Sequence, residues 1–168
     1  MAYDPGPWHD FYVMAGGAAA ALTGLLFVAM SLHSEAIMRN PFFRYRAIGT
    51  LTSLTALLLL AAAVLVPGQP LAALGVEVEL AALFFLAQTV RGITVRGPSS
   101  GKVTMSPLRS AVEIGGGSIW VVVFLATGVS LITREGGGFY LLAPVIALAF
   151  AWNIYVAWML ITEVSEGG

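Results

Sequence analysis

The chain has 168 residues, of which 58% are hydrophobic and only 10% are charged. Soluble domains usually carry about 25% charged residues, so this composition, with its several long uncharged runs, indicates an integral membrane protein rather than a soluble domain. The chain contains no cysteine, which excludes disulfides, thiolate metal sites and haem attached through thioethers.

The first apolar segment, at about residues 11–32, is uncharged and predicts a transmembrane helix. The residues before it include no Lys or Arg, so we expect no cleavable signal peptide. Gly17, Ala21 and Gly24 fall on one helical face because their spacings are four and three residues. Small faces let transmembrane helices approach closely. The pattern therefore favours a packing seam, and a pore lined by backbone is the alternative.

Four further apolar segments lie at about 45–66, 71–90, 111–132 and 139–161. The five segments predict an all-α integral membrane protein, with residues 1–168 forming one transmembrane domain. In this prediction the domain is a bundle of five helices without an extramembrane domain. A four-helix alternative would require that the second or third segment does not span, and the tight Pro-Gly-Gln-Pro turn between them argues against it.

Two local patterns predict helix starts. Asn40-Pro41 combines a capping residue with a proline suited to the first helical position, ahead of the second segment. Ser110 and Glu113 match the S-x-x-E capping box ahead of the fourth segment. The run Gly115, Gly116 and Gly117 follows, and each glycine destabilises a soluble helix by about 1 kcal/mol. This run predicts close helix packing or a hinge.

The basic residues predict the orientation of the bundle. The loops at 33–46 and 91–110 contain seven of the eight Lys and Arg residues, and only Arg134 lies on the other side. Cytoplasmic loops carry an excess of Lys and Arg. We therefore expect the N-terminus outside, the C-terminus in the cytoplasm, and no basic residue inside an apolar segment.

The third segment contains the acids Glu77 and Glu79, about 10 Å inside a helix that begins near residue 71. A charge at bilayer depth costs about 3 kcal/mol or more, so these acids must be protonated, face water, or bond to hydroxyls or amides. They lie about 200° apart on a helix and cannot form a catalytic pair. Gln88 lies eleven residues after Glu77 and points within about 20° of the same direction on a helix. Glu77, Ala81, Phe84 and Gln88 therefore form one stripe with a polar residue at each end.

Other segments offer polar partners for this stripe. Thr127 and Ser130 lie at a depth comparable to that of Glu77 and are expected to reach it, whereas Asn153 lies nearer the depth of Gln88 and is expected to bond between helices. The candidate residues for proton binding or transport are Glu77, Glu79, Gln88, Thr127 and Asn153. The alternatives are that these acids are protonated structural groups that hold helices together, or that the helix starts later and leaves Glu77 at the surface.

The sequence predicts no cofactor, no metal and no enzyme. The two histidines, His9 and His33, stand at opposite ends of the first segment and cannot share one metal or haem. Phosphate-binding loops, nucleophile elbows and metalloprotease motifs are absent from the sequence. The expected partners are the lipid bilayer and further copies of the chain, with a larger membrane complex as the alternative. No nucleic acid is expected as a partner.

The first 33 residues carry a resemblance. Trp8, Phe11 and Tyr12, followed by GGAAAALTGLLFVAMSLH at 16–33, resemble a family of small, uncharacterised bacterial multi-pass membrane proteins. The resemblance implies a bacterial inner-membrane location, and it implies no activity and no functional residues.

Two functions remain open from the sequence. One is a homo-oligomer that conducts or transports protons, ions or small solutes through a path containing an intramembrane carboxylate. The other is a non-catalytic accessory or regulatory subunit of a larger membrane complex.

Overall fold

The structure is a computed structural model that describes the backbone of residues 1–95 and 107–166, and the side-chain surroundings of most of these residues. The described chain forms helices and no strand. A single 3-10 turn at Gly6–Trp8 precedes α1 (His9–Leu32), α2 (Ser34–Arg39), α3 (Pro41–Val64), α4 (Leu71–Val95), α5 (Pro107–Thr133) and α6 (Phe139–Glu166).

Four stretches of helix in the described chain are long and apolar enough to cross a membrane, which supports a membrane-embedded helical bundle. They are Gly6–Leu32, Pro41–Val64, Leu71–Arg91 and Phe139–Thr162. The fifth long helix, α5, has a shorter described apolar part at Val121–Thr133. The packing predicted for Gly115, Gly116 and Gly117 lies outside the described residues.

The helix α3 begins where the Asn-Pro pair predicts. The backbone N–H of Phe42 donates to Asn40 Oδ1 at 2.9 Å, and Pro41 is the first helical residue. Because the helix starts here, Arg46 lies inside α3 instead of in a loop and is buried, with its guanidinium 5.5 Å from the centre of the Phe42 ring. The expectation that no basic residue lies within an apolar helix is therefore wrong.

The capping box predicted for the fourth segment is also wrong. The chain is already helical at Pro107, so Ser110 lies inside α5 and cannot be its N-terminal cap. The sequence pattern matched by chance, since Ser and Glu three residues apart also occur within helices.

Helix α1 packs along α3, but not through the predicted small-residue seam. Its buried residues are Tyr12, Ala15, Ala19 and Leu26. A methyl group at Gly16 would lie 3.5 Å from Ala61 Cβ, which shows how closely α1 and α3 approach. The alanines at 15 and 19 supply the small side chains that this approach needs.

The predicted seam of Gly17, Ala21 and Gly24 is exposed on another side of α1. A methyl group added at Gly17 or Gly24 would meet nothing within 4 Å. The prediction of a packing seam is therefore wrong within one chain, because the seam points away from α3. Contact of this face with a second copy stays a prediction.

The N-terminal residues are fixed to the turn between α5 and α6. Phe139 N donates to Ala2 O at 2.8 Å, and Gly137 N donates to the Tyr3 hydroxyl at 2.9 Å. On the same turn, Gly138 N donates to Ser130 Oγ at 2.9 Å. These bonds define the N-terminal end of the bundle, and α2 lies at the opposite end, where Ile37 packs with Ala47 and Leu160.

Candidate functional site

The helices α4 and α5 cross through two reciprocal contacts. A methyl group built on Gly75 of α4 would lie 2.6 Å from Ile132 Cγ1 and 2.9 Å from the carbonyl oxygen of Gly128. A methyl group built on Gly128 of α5 would overlap the carboxyl of Glu79. Each glycine therefore receives a large side chain from the other helix, and the two contacts are one helical turn apart.

Glu79 is the central residue of this crossing. A methyl group on Gly128 would lie 2.8 Å from its Cδ and 2.9 Å from its Cγ, so the carboxyl lies directly against the α5 backbone. The side chain is half-buried, and Oε1 is fully buried without a hydrogen-bond partner. Buried polar oxygens nearly always have a partner. Among the described side chains, Tyr12 and Gln69 also have a buried oxygen without a partner, and Glu79 is the acid among the three.

Glu77 has a different environment from Glu79, as their angular separation on the helix predicts. Its Oε2 accepts a hydrogen bond from Gln69 Nε2 at 2.8 Å. Gln69 belongs to the turn before α4, so this bond lies at the N-terminal end of the bundle. The oxygen of the same amide, Gln69 Oε1, is buried without a hydrogen-bond partner.

The expected bonds from Thr127 and Ser130 to Glu77 do not form. The Thr127 hydroxyl donates to the carbonyl of Val123 in its own helix at 2.7 Å. The Ser130 hydroxyl donates to the carbonyl of Glu135 and accepts from Gly138 N. The prediction failed because hydroxyls in a helix can bond to a carbonyl one turn earlier, and because the backbone turn after α5 needs Ser130.

Gln88 and Asn153 both join α3 to a neighbouring helix. Gln88 Nε2 donates to Thr52 Oγ1 at 3.0 Å, and the Tyr45 hydroxyl donates to the Gln88 backbone carbonyl. Asn153 Nδ2 donates to Ser53 Oγ at 3.0 Å, which is the interhelical bond its position predicts. These bonds give both amides a role in holding helices together.

The predicted stripe from Glu77 to Gln88 does not form a continuous polar path in the described residues. Gln88 lies nine residues after Glu79, a distance of about 13.5 Å along α4. On the α4–α5 side this interval contains the rings of Phe85 and Phe124, whose centres are 5.2 Å apart, and Phe124 is fully buried. The carboxyl of Glu79 is therefore separated from the polar residues of the opposite end by an aromatic contact.

Two residues of this site, Gly128 and Gln69, were not identified from the sequence. Gly128 is an isolated glycine in an apolar run, and no spacing rule pairs it with an acid on another helix. Gln69 lies in a Pro-Gly-Gln-Pro sequence that reads as a plain turn. Gln69 also precedes the first residue of α4, Leu71, so helical spacing does not relate its position to that of Glu77.

Neither a metal site nor a similar known protein gives further information on the role of these residues. Among the described residues, no three His, Asp or Glu side chains are grouped to hold a metal ion. No protein-family model, no curated protein and no solved structure matches the chain. The candidate site therefore rests on the contacts of Glu79.

Proposed function

We propose that this protein transports protons, ions or small solutes across a membrane, and that the Glu79 carboxyl gains and loses a proton during transport. One observation carries the proposal: Glu79 Oε1 is buried between α4 and α5 without a hydrogen-bond partner. A carboxylate in such surroundings is costly unless it is paired or protonated. An ionisable residue within a membrane span is also a candidate functional residue by default.

The contacts on either side of Glu79 favour a gated transporter over an open pore. Towards the N-terminal end, Glu77 and Gln69 supply polar atoms two and ten residues before Glu79 in the sequence. Towards the other end, the contact between Phe85 and Phe124 interrupts the polar residues. Transport then requires the Phe85 ring to rotate away from Phe124, while the backbones of α4 and α5 stay in close contact.

The proposed topology has five membrane spans, with the N-terminus outside a bacterial inner membrane. Support comes from five long helices, including the 27 residues of α5, and from the seven basic residues at 39–46 and 91–109, which five spans would bring to the same side. The resemblance of the first 33 residues to bacterial multi-pass proteins agrees with this location, and it stays a prediction.

Single cysteines test this topology directly, because the natural chain has none. Pro67 lies in the exposed turn before α4, and Ser34 begins α2 at the opposite end and is exposed. We expect a membrane-impermeant maleimide to label Pro67→Cys in intact cells and Ser34→Cys only after permeabilisation. Labelling of both in intact cells, or the reverse order, would contradict the five-span arrangement.

Proton flux into liposomes containing the purified protein tests the transport proposal. We expect a pH-sensitive dye to report flux for the wild type and only the background of protein-free liposomes for Glu79→Gln, which keeps the shape of the side chain but cannot bind a proton. Glu135→Gln is the matched control, because Glu135 is an exposed acid after α5, and it should retain full flux. Flux of the Glu79→Gln protein at the wild-type rate would refute the role of this carboxyl.

A second function, an accessory subunit of a larger membrane complex, is favoured by a different observation. The face of Gly17, Ala21 and Gly24 has no partner within the chain, although small faces commonly serve close helix contacts. If this alternative holds, liposomes containing the isolated protein would show no flux of any solute. Replacement of Gly17 and Gly24 by leucine would then prevent co-purification with the complex.

A further inference from the structure

We infer that the species bound at Glu79 is a proton and not a metal cation, and that Gly128 is the positioning residue that imposes this choice. The inference rests on the proposed function and names its substrate. It follows from the space around the carboxyl, from the oxygen atoms that surround it, and from the rigidity of the helix crossing.

The first argument concerns space. The carboxyl carbon and Cγ of Glu79 would lie 2.8 and 2.9 Å from a methyl carbon at Gly128, well inside the usual carbon–carbon contact of about 3.5–4.0 Å. The carboxyl therefore occupies the volume that any ordinary side chain at residue 128 would fill. A proton adds almost no volume to this arrangement, whereas a hydrated or partly hydrated cation needs a cavity.

The second argument concerns ligands. Hard cations such as Ca²⁺ and Mg²⁺ take about six or more oxygen ligands. Two oxygen-bearing groups of the described chain lie near Glu79 in the sequence or beside Gly128, and both have other partners. The Thr127 hydroxyl donates to the Val123 carbonyl. The Glu77 carboxyl accepts from Gln69. The buried Oε1 of Glu79 has no hydrogen-bond partner. A proton makes the carboxyl neutral and so lowers the cost of its burial, whereas one carboxyl cannot complete the ligand shell of a cation.

The third argument concerns rigidity. Gly75 lies four residues before Glu79 and receives Ile132, which lies four residues after Gly128, so the two contacts support each other across the interface. If α5 moved away to admit an ion, the Gly75 contact would also open. Gly128 thus fixes the carboxyl against backbone atoms and keeps the site closed to larger species.

The first experiment identifies the carried ion. Proteoliposomes are prepared with Na⁺ and K⁺ fully replaced by choline, and proton flux is driven by a pH gradient with a permeant anion for charge balance. We expect unchanged proton flux, and no Glu79-dependent uptake of radioactive Na⁺ or Rb⁺. Flux that depends on Glu79 but requires Na⁺ or K⁺, or that carries either ion, would overturn the inference while leaving the proposed function intact. Absence of all flux would overturn both.

The second experiment tests Gly128. We expect Gly128→Ala to lower proton flux to the level of Glu79→Gln, because the methyl group displaces the carboxyl. The double variant Gly128→Ala/Glu79→Asp, whose acid is one methylene shorter, removes the overlap at Cδ but not the one at Cγ, and should regain part of the flux. Gly49→Ala is the matched control, since its methyl group would meet only Gln88 Nε2 at 3.9 Å, and it should leave flux unchanged.

A folding defect would give a different pattern. If Gly128→Ala only disrupted the bundle, the shorter acid would not restore flux, and the thermal unfolding of both variants in detergent would fall together. Wild-type flux in Gly128→Ala, or loss of flux without rescue by Glu79→Asp, would overturn the assignment of Gly128 as a positioning residue.

Discussion

Replacement of Gly138 by alanine is expected to release the N-terminal residues from the turn between α5 and α6. Gly138 has a φ of 51°, and a methyl group there would overlap the Ala2 carbonyl oxygen and lie 2.6 Å from two ring carbons of Tyr3. The left-handed conformation costs a non-glycine residue about 1–2 kcal/mol. Overpacking adds about 1–3 kcal/mol. The bond from Phe139 N to Ala2 O is lost when Ala2 moves away.

Thermal unfolding in detergent and hydrogen exchange at residues 2–8 measure this effect. Gly136→Ala is the matched control, because Gly136 has a φ of 87° but a methyl group there would meet only Ser130, at 3.6 Å or more. Both variants incur the backbone strain, and only Gly138→Ala should accelerate exchange in the N-terminal residues. Equal exchange in the two variants would show that these residues are not held by the contacts described.

Replacement of Gly75 by alanine is expected to force α4 and α5 apart. Its methyl group would lie 2.9 Å from the Gly128 carbonyl oxygen and 3.2 Å from the backbone nitrogen of Ile132, as well as 2.6 Å from Ile132 Cγ1. A side chain can rotate away, but helical backbone atoms move only if the whole helix shifts. We expect destabilisation by about 1–3 kcal/mol, together with loss of the contact between Glu79 and Gly128.

Denaturation in mixed detergent micelles measures the loss of stability. Gly17→Ala is the control, since its methyl group would meet nothing within 4 Å, and it should not lower stability. The double variant Gly75→Ala/Ile132→Ala removes the side-chain overlap but not the backbone overlap, so it should recover only part of the loss. Wild-type stability of Gly75→Ala would contradict the close crossing of the two helices.

The sequence predicts the helical class and much of the helix pattern because long apolar runs leave the backbone no alternative in a bilayer. The Asn-Pro pair also predicts the start of α3. Other features failed for identifiable reasons. The seam at Gly17 was misread because α1 has small residues on two faces, and single-helix periodicity cannot tell which face meets a neighbour. Arg46 was misplaced because charge alone was taken to mark a loop.

The candidate site was predictable only in part. An acid within an apolar helix is visible in the sequence, and so Glu77 and Glu79 were identified. Which acid contacts which helix depends on the rotation of α4 against α5, and that rotation is set by Gly75 and Gly128 together. Two isolated glycines more than fifty residues apart give no signal of their pairing, and the hydroxyl of Thr127 gives no signal that it bonds within its own helix.

The most direct test of the account compares proton flux in liposomes for Glu79→Gln and Glu77→Gln. The account predicts background flux for Glu79→Gln, since the proton-binding group is gone. It predicts reduced but measurable flux for Glu77→Gln, because an amide can still bond to Gln69 and leaves Glu79 in place. Full flux in Glu79→Gln, with flux lost only in Glu77→Gln, would contradict the central role of the carboxyl that lies against Gly128.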